Sequence, residues 1–230
     1  MFPPNAVVLF LHSSLFILHS VQIMTDPNKS PLLILISAPS GGGKTTLCQQ
    51  LLAARPDMTR AITCTTRALR PGEKDGVDYY FFGPPEFERR VQAGEFIEHA
   101  TVFSRSYGLL RSELLDKLRC GRNVLLNVDV QGAATIRDRA LADPDLKRAL
   151  VTVFLTPPSL AVLEERLKKR AADAPEEILK RLGIARKEIA QWENFDYLLI
   201  SSTIQEDLRR MLVIVEAEKS RVARSHPPEF

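Results

Sequence analysis

The stretch Ser37–Thr46, SAPSGGGKTT, sets three glycines, a lysine and two threonines directly after an aliphatic run. Those residue types at that spacing suit one chemistry, the gripping of a polyphosphate. Consecutive backbone N–H groups at Gly41, Gly42 and Gly43 can curl around an anion. The first turn of a following helix adds the positive end of its dipole, and Lys44 can reach the β- and γ-phosphates. Thr45 offers a hydroxyl to Mg²⁺. Glycine is expected because the loop visits positive φ, and because a Cβ would fill space that phosphate oxygens need. The pattern G-x-x-x-x-G-K-[ST] is met from Gly43 onward, with Ala38 at its first glycine. A chance glycine turn before a helix is the bland alternative, but strand and helix signals flank this one correctly. The loop implies a nucleoside triphosphate held by Ala38, Pro39, Ser40, Gly41, Gly42, Gly43, Lys44, Thr45 and Thr46. It says nothing of the acceptor.

The acceptor must be read elsewhere. Thr65–Phe82, TTRALRPGEKDGVDYYFF, puts Arg67 and Arg70 beside hydroxyls, with Tyr79 further along. Two guanidinium groups and a phenol suit a dianionic monophosphate, because the arginine fork matches phosphate oxygens bidentately. Two arginines near a turn are also what an ordinary solvated surface looks like, and these residues alone leave both readings open.

These groups need elements to hold them. Leu32–Ile36 is a short continuous apolar run, as in a strand covered on both faces. Thr45–Ala54 has Leu47, Leu51 and Leu52 at helical spacing, and Pro56 stops it. Ala61–Thr65 reads as a strand, Arg70–Gly76 as a turn and Val77–Phe82 as extended. Pro85–Ala93 and Arg111–Arg119 read as helices ended by Gly94 and Gly121. Asn123–Val128 and Leu150–Leu155 are further buried strands. Helices are expected over Ser159–Ala171, Glu176–Glu193 and Ile204–Ala223, with a last strand at Tyr197–Ile200. Buried strands alternating with helices imply an α/β fold, a parallel sheet with helices on both faces. The block from 61 to about 120 is poorer in that alternation and reads as an inserted lobe.

The chain has 230 residues, enough for one domain with a real core. It is 45% hydrophobic and 26% charged, as soluble globular proteins are. A net charge of +3 is too small to argue for nucleic acid. Cys48, Cys64 and Cys120 lack metal or redox spacing and read as reduced cytosolic thiols. Residues 1–23 are apolar but broken by His12, Ser13 and Ser14, and no Lys or Arg precedes Lys29. That suits neither a signal peptide nor a membrane span. A weak membrane-associating extension is one reading; translation starting at Met24 is favoured. The expected organisation is an extension over 1–31, disordered or absent from the native protein, a domain over 32–218 and a tail over 219–230. The expected location is cytoplasmic, without stable membrane association. The oligomeric state stays open.

Taken in order, the glycine loop, Thr65–Phe82, Gly94–Ala100 (GEFIEHA), Tyr107-Gly108 and Val128–Ala133 (VDVQGA) resemble the guanylate kinase family. The resemblance runs from about Leu32 to about Ala217. It implies a P-loop nucleoside monophosphate kinase fold with a GMP-binding lobe (about 61–120) and a mobile lid (about 168–178). The reaction it implies is ATP + GMP ⇌ ADP + GDP, with Mg²⁺. It places the GMP phosphate on Arg67, Arg70, Tyr79 and Tyr107, and guanine on Glu98, with Thr63, Asn127 and Asp129 nearby. One carboxylate can accept from guanine N1–H and its 2-amino group together, whereas adenine presents an acceptor at N1. Asp129 with Thr45 is implied at the Mg²⁺ site, although an aspartate capping the next helix would read the same. Arg166, Arg170 and Arg181 match the lid arginines, which with Lys44 and Arg70 would neutralise the transferring phosphoryl group. A salt-bridged helix surface is the bland alternative for Arg166 and Arg170.

Four positions depart from the family pattern. Leu109 stands where a small hydroxyl residue is expected near guanine O6. Asn127 stands for a carboxylate, Ala171-Ala172 follow Arg170 where a glycine is usual, and Ser201–Thr203 replace an Asn-Asp at the adenine side. Leu109 and Asn127 invite a kinase of another nucleoside monophosphate as the alternative. A non-catalytic interaction module of the same fold is the rival from another class.

Overall fold

The computed structural model describes residues 30–102, 104–169 and 175–225. Its strands are β1 (Leu33–Ser37), β2 (Met58–Arg60), β3 (Cys64–Thr65), β4 (Tyr80–Phe81), β5 (Phe96–Val102), β6 (Arg105–Leu110), β7 (Asn123–Asn127), β8 (Leu150–Thr156) and β9 (Tyr197–Ile200). Its helices are α1 (Lys44–Ala54), α2 (Pro84–Gln92), α3 (Arg111–Arg119), α4 (Val130–Leu141), α5 (Pro144–Ala149), α6 (Leu160–Lys169), α7 (Pro175–Ile189) and α8 (Ile204–Lys219).

β1 is buried along its whole length because LILI offers no polar side to solvent. It forms the middle of a five-stranded sheet in the order β2-β7-β1-β8-β9, with every pairing parallel. Alternate residues of β1 feed two separate cores. Leu32, Ile34 and Ile36 pack with Leu47 and Leu51 of α1 and with Met211 and Val215 of α8. Leu33 and Leu35 pack with Leu114 of α3, Ile136 of α4 and Leu146 of α5. Helices therefore cover both faces, and strand ends carry the loops.

A second sheet, in the order β4-β3-β6-β5, mixes one parallel pairing with an antiparallel hairpin. Its own small core is Cys64, Phe87, Phe96 and Leu110 under α2. Gly108 of β6 lets that core close: a Cβ there would lie 2.8 Å from the Phe96 ring and 3.0 Å from the Glu98 carbonyl.

Four expected elements change: the helix expected over Glu176–Glu193 ends at Ile189, with a 3-10 turn at Trp192–Asn194, and three others differ. Of the strand expected over Ala61–Thr65 only Cys64–Thr65 forms, as β3; residues 61–63 cross between the sheets, since Ala61 N–H still bonds to Leu125 of β7 while Thr63 C=O already accepts from Tyr80. In Val77–Phe82 only Tyr80–Phe81 pairs as a strand, since Val77 and Asp78 are tied back to Lys74 in a turn. The closing helix stops at Lys219 with Ser220 as its cap, and a short 3-10 turn follows at Val222–Arg224. The apolar segment 1–23 and residues 170–174 of the expected lid lie outside the described residues. Among the described residues no helix is long and apolar enough to cross a membrane.

Candidate active site

The glycine loop follows β1 and opens α1. Gly43 caps the helix at φ 99° and ψ 4°, with no side-chain cap and no acid in the first turn. The N-terminal N–H groups of α1 are thus left for an anion. Gly41 also has positive φ, at 86°. A Cβ in this loop would also meet the protein itself. A Cβ on Gly42 would meet the Pro39 carbonyl at 2.9 Å, and one on Gly41 would meet Leu167 at 3.0 Å. Packing bars a side chain at Gly42 and crowds one at Gly41, whereas at Gly43 the positive φ is the constraint.

Lys44 Nζ donates to the Val128 carbonyl at 2.9 Å, which lays its chain across the mouth of the loop. Burial lowers its pKa, and Asp129 opposes that shift. Asp129 caps α4, its Oδ1 accepting from Gly132 N–H at 2.8 Å. The helix-cap reading of Asp129 is what the geometry contains, and the same carboxylate also faces the loop. Ala38–Thr45, Asp129 and Glu188 line one cavity. Thr46 lines the neighbouring one, with Gly41, Gly43, Arg166, Ser201, Ser202 and Asp207.

Arg166, on α6, donates to the Gly42 carbonyl at 3.4 Å and to the Ser201 hydroxyl at 3.2 Å. Its guanidinium is therefore tied to the phosphate loop, unlike Lys168 and Lys169, which pair along the helix with Glu164 and Glu165. Arg181, on α7, has Glu177 at 3.6 Å. Arg170 lies outside the described residues.

On the other side, Arg67 is only 8% exposed. Its Nη1 and Nη2 donate to the two carboxylate oxygens of Glu73 at 2.9 and 2.7 Å, and Nη1 donates to the Ala68 carbonyl. Its guanidinium carbon lies 5.4 Å from the centre of the Tyr79 ring, and Tyr79 meets Tyr107 edge-on at 6.5 Å. Arg70 is exposed, and its backbone N–H also donates to Glu73. The fork expected to take a phosphate is thus built and holds a carboxylate. Thr45, Glu73, Tyr79 and Asn127 line one cavity, so the end of the phosphate loop and the arginine–tyrosine cluster share a cleft.

A family model described as guanylate kinase matches residues 30–218, most of the chain. The chain belongs to the guanylate kinase family. The guanylate kinase of Maricaulis maris (strain MCS10) is 40% identical over 196 residues, 85% of this chain and 87% of that one. The guanylate kinase of Coxiella burnetii (strain RSA 493 / Nine Mile phase I) is 42% identical over 192 residues, 84% of this chain and 89% of that one. The crystal structure of guanylate kinase from Anaplasma phagocytophilum matches with a TM-score of 0.67 at 34% identity, over 86% of this chain and 92% of that chain.

Within this guanylate kinase family member, Glu98 is half-buried on β5, and Thr63 sits between the two sheets. Burial, and then the charge of Asp129, raise the Glu98 carboxyl to about 7. Leu109 is fully buried in the main core with Ile97 and Leu114, and it stands directly opposite Glu98 in the β5–β6 ladder. Two acids at the site escaped the sequence reading. Glu73 lies in the turn of RPGE, where its spacing from Arg67 was the available signal. Glu188 ends α7, far along the chain, and nothing local marks it.

Proposed function

We propose that this chain catalyses transfer of the γ-phosphoryl group of ATP to GMP, giving ADP and GDP. The observation that carries the reading is the shared cleft, in which Thr45 of the loop and Tyr79 of the arginine–tyrosine cluster line one cavity. Phosphoryl transfer asks little covalent chemistry of a protein; it asks for an in-line arrangement and neutralised charge.

The donor phosphates lie against the N–H groups of Gly41–Lys44, with Lys44 and Arg166 supplying positive charge. The acceptor phosphate takes Arg67, Arg70, Tyr79 and Tyr107. Arg67 exchanges or shares its Glu73 partner for phosphate oxygens of the same bidentate geometry. Glu98 accepts from guanine N1–H and the 2-amino group, with Thr63, Asn127 and Asp129 around the base. A pKa near 7 leaves Glu98 partly protonated in the free protein, and guanine's two donors favour its ionised form. Arg170 and Arg181 complete the positive charge as the lid closes, and with Lys44 and Arg70 form the catalytic set.

The Thr45 hydroxyl and the Asp129 carboxylate are hard oxygen donors of the kind Mg²⁺ takes, and the Glu188 Oε2 beside them is buried without a partner. Mg²⁺ held there would neutralise charge on the nucleotide phosphates. Among the described residues no group of three metal-binding side chains occurs. All three cysteines are free, with Cys120 exposed, which supports a reducing cytoplasmic location.

Release of ADP measured with GMP, dGMP, AMP, CMP and UMP tests the assignment. The expected result is turnover with GMP and dGMP, and kcat/KM for AMP lower by about 100-fold or more, the cost of leaving a buried carboxylate unpaired. Equal rates with AMP would remove Glu98 from base recognition.

A further inference from the structure

Glu188 is an acid in a place that should repel the ligand. It reaches the phosphate loop from the last turn of α7 and lines the same cavity as Gly41–Gly43, Lys44, Thr45 and Asp129. Its Oε2 is buried and has no hydrogen-bond partner. Burial raises its pKa, and the Ser40 backbone N–H and the charge of Lys44 oppose that shift. Lys44, which lines the same cavity, donates to the Val128 carbonyl.

A bare polyphosphate entering this cradle meets two carboxylates, Asp129 and Glu188. Close like charges in a partly buried site repel strongly. A polyphosphate carrying a divalent cation meets the same acids as attractive partners. The cation, or water bound to it, would also satisfy the oxygen that now lacks a partner. We propose that Glu188 is a specificity-determining residue that makes the donor site prefer the magnesium-complexed nucleotide over the bare polyphosphate. This inference rests on the reading of the glycine loop as the donor site. A purely structural glutamate would hold α7 on the loop and treat both forms of the nucleotide alike.

Equilibrium binding of ADP to the full chain, by titration calorimetry with excess Mg²⁺ and again with EDTA, separates the two roles. Glu188→Gln keeps the size and removes the charge. It is expected to bind bare ADP about three- to ten-fold more tightly than the wild type, the scale of one close charge contact, and to narrow the preference for Mg-ADP by at least that factor. Glu188→Asp, which keeps the charge, should retain the preference, and it carries the comparison if thermal unfolding shows that the glutamine variant does not fold. Loss of an equal factor for both forms in Glu188→Gln, or no change in bare ADP affinity, would overturn the proposal. If Glu188→Asp alone folds, loss of the preference there overturns it too. Lys44→Ala is measured in parallel: wild-type ADP affinity in that variant would overturn the donor-site reading itself, and the inference with it.

Discussion

Glu98 and Asp129 flank a single glycine. A Cβ placed on Gly132 would sit 3.4 Å from Asp129 Oδ1 and 3.5 Å from Glu98 Oε2. The two acids come from different sheets, Glu98 from the β5–β6 hairpin and Asp129 from the end of β7, and α4 brings them together. Burial first, and then the charge of Asp129, hold the Glu98 carboxyl near 7.

That value predicts a pH dependence for the acceptor. Guanine's donors bind the ionised carboxylate, so GMP affinity is fully present above the raised pKa and is lost as pH falls through it. KM for GMP should rise about ten-fold between pH 8 and pH 6 while KM for ATP changes little, since one unit of pH on one group is worth at most about ten-fold. The phosphate of GMP titrates near 6 in its own right. Glu98→Gln supplies the reference: its KM should be higher at pH 8 and its profile flatter. A wild-type profile that matches the glutamine variant would take Glu98 out of the binding step.

Lys44 should matter for turnover and little for folding. Its ammonium is held by one carbonyl, Val128, at the edge of the loop. Lys44→Ala is expected to lower kcat by about 100- to 1000-fold or more, as removal of one charge-stabilising donor does. Circular dichroism and thermal unfolding should match the wild type. Substantial residual activity would remove the loop lysine from the mechanism.

Leu109 should behave as core. It has no exposed surface and packs with Ile97, Leu114 and the inner face of β1. Leu109→Ala should cost about 2–5 kcal/mol in denaturant unfolding, the usual range for a buried leucine. Below the transition, KM for GMP should stay within about two-fold, because a methylene contact counts only when it touches the ligand. A large KM effect with little loss of stability would return the side chain to the base pocket.

Gly108 tests the hairpin. An added methyl would press on the Phe96 ring and on the Glu98 carbonyl, and the carbonyl cannot rotate away. Gly108→Ala should lower stability by about 1–3 kcal/mol, as overpacking does, and should disturb GMP more than ATP because Glu98 lies on the adjoining strand. Unchanged unfolding would mean that the two strands separate without cost.

The sequence was most legible where one local rule sufficed. Leu32–Ile36 and Tyr197–Ile200 are short apolar runs with few alternatives, and the glycine loop between a strand and a helix is marked by backbone demands. It was least legible where partners come from afar. Ala61–Thr65 looks like one strand because β-branched residues continue, yet the chain crosses from β7 to β6 within it. Arg67 announces a phosphate, but only the fold shows that Glu73 fills its fork. Leu109 reads as a lost polar contact, and only the fold shows Ile97 and Leu114 beside it. Glu188 carries no local signal at all, since its meaning depends on where the end of α7 meets the loop.

The measurement closest to the central claim uses a ligand in which guanosine and adenosine are joined 5′ to 5′ through a chain of phosphates. If the glycine loop and the arginine–tyrosine cluster hold two nucleotides head to head across one cleft, this compound should bind about 100-fold or more tightly than ADP or GMP alone, because the second contact becomes intramolecular. It should also compete with both. An affinity no better than that of ADP, with GMP still able to bind beside it, would mean that the two sites do not face each other, and the account would fail.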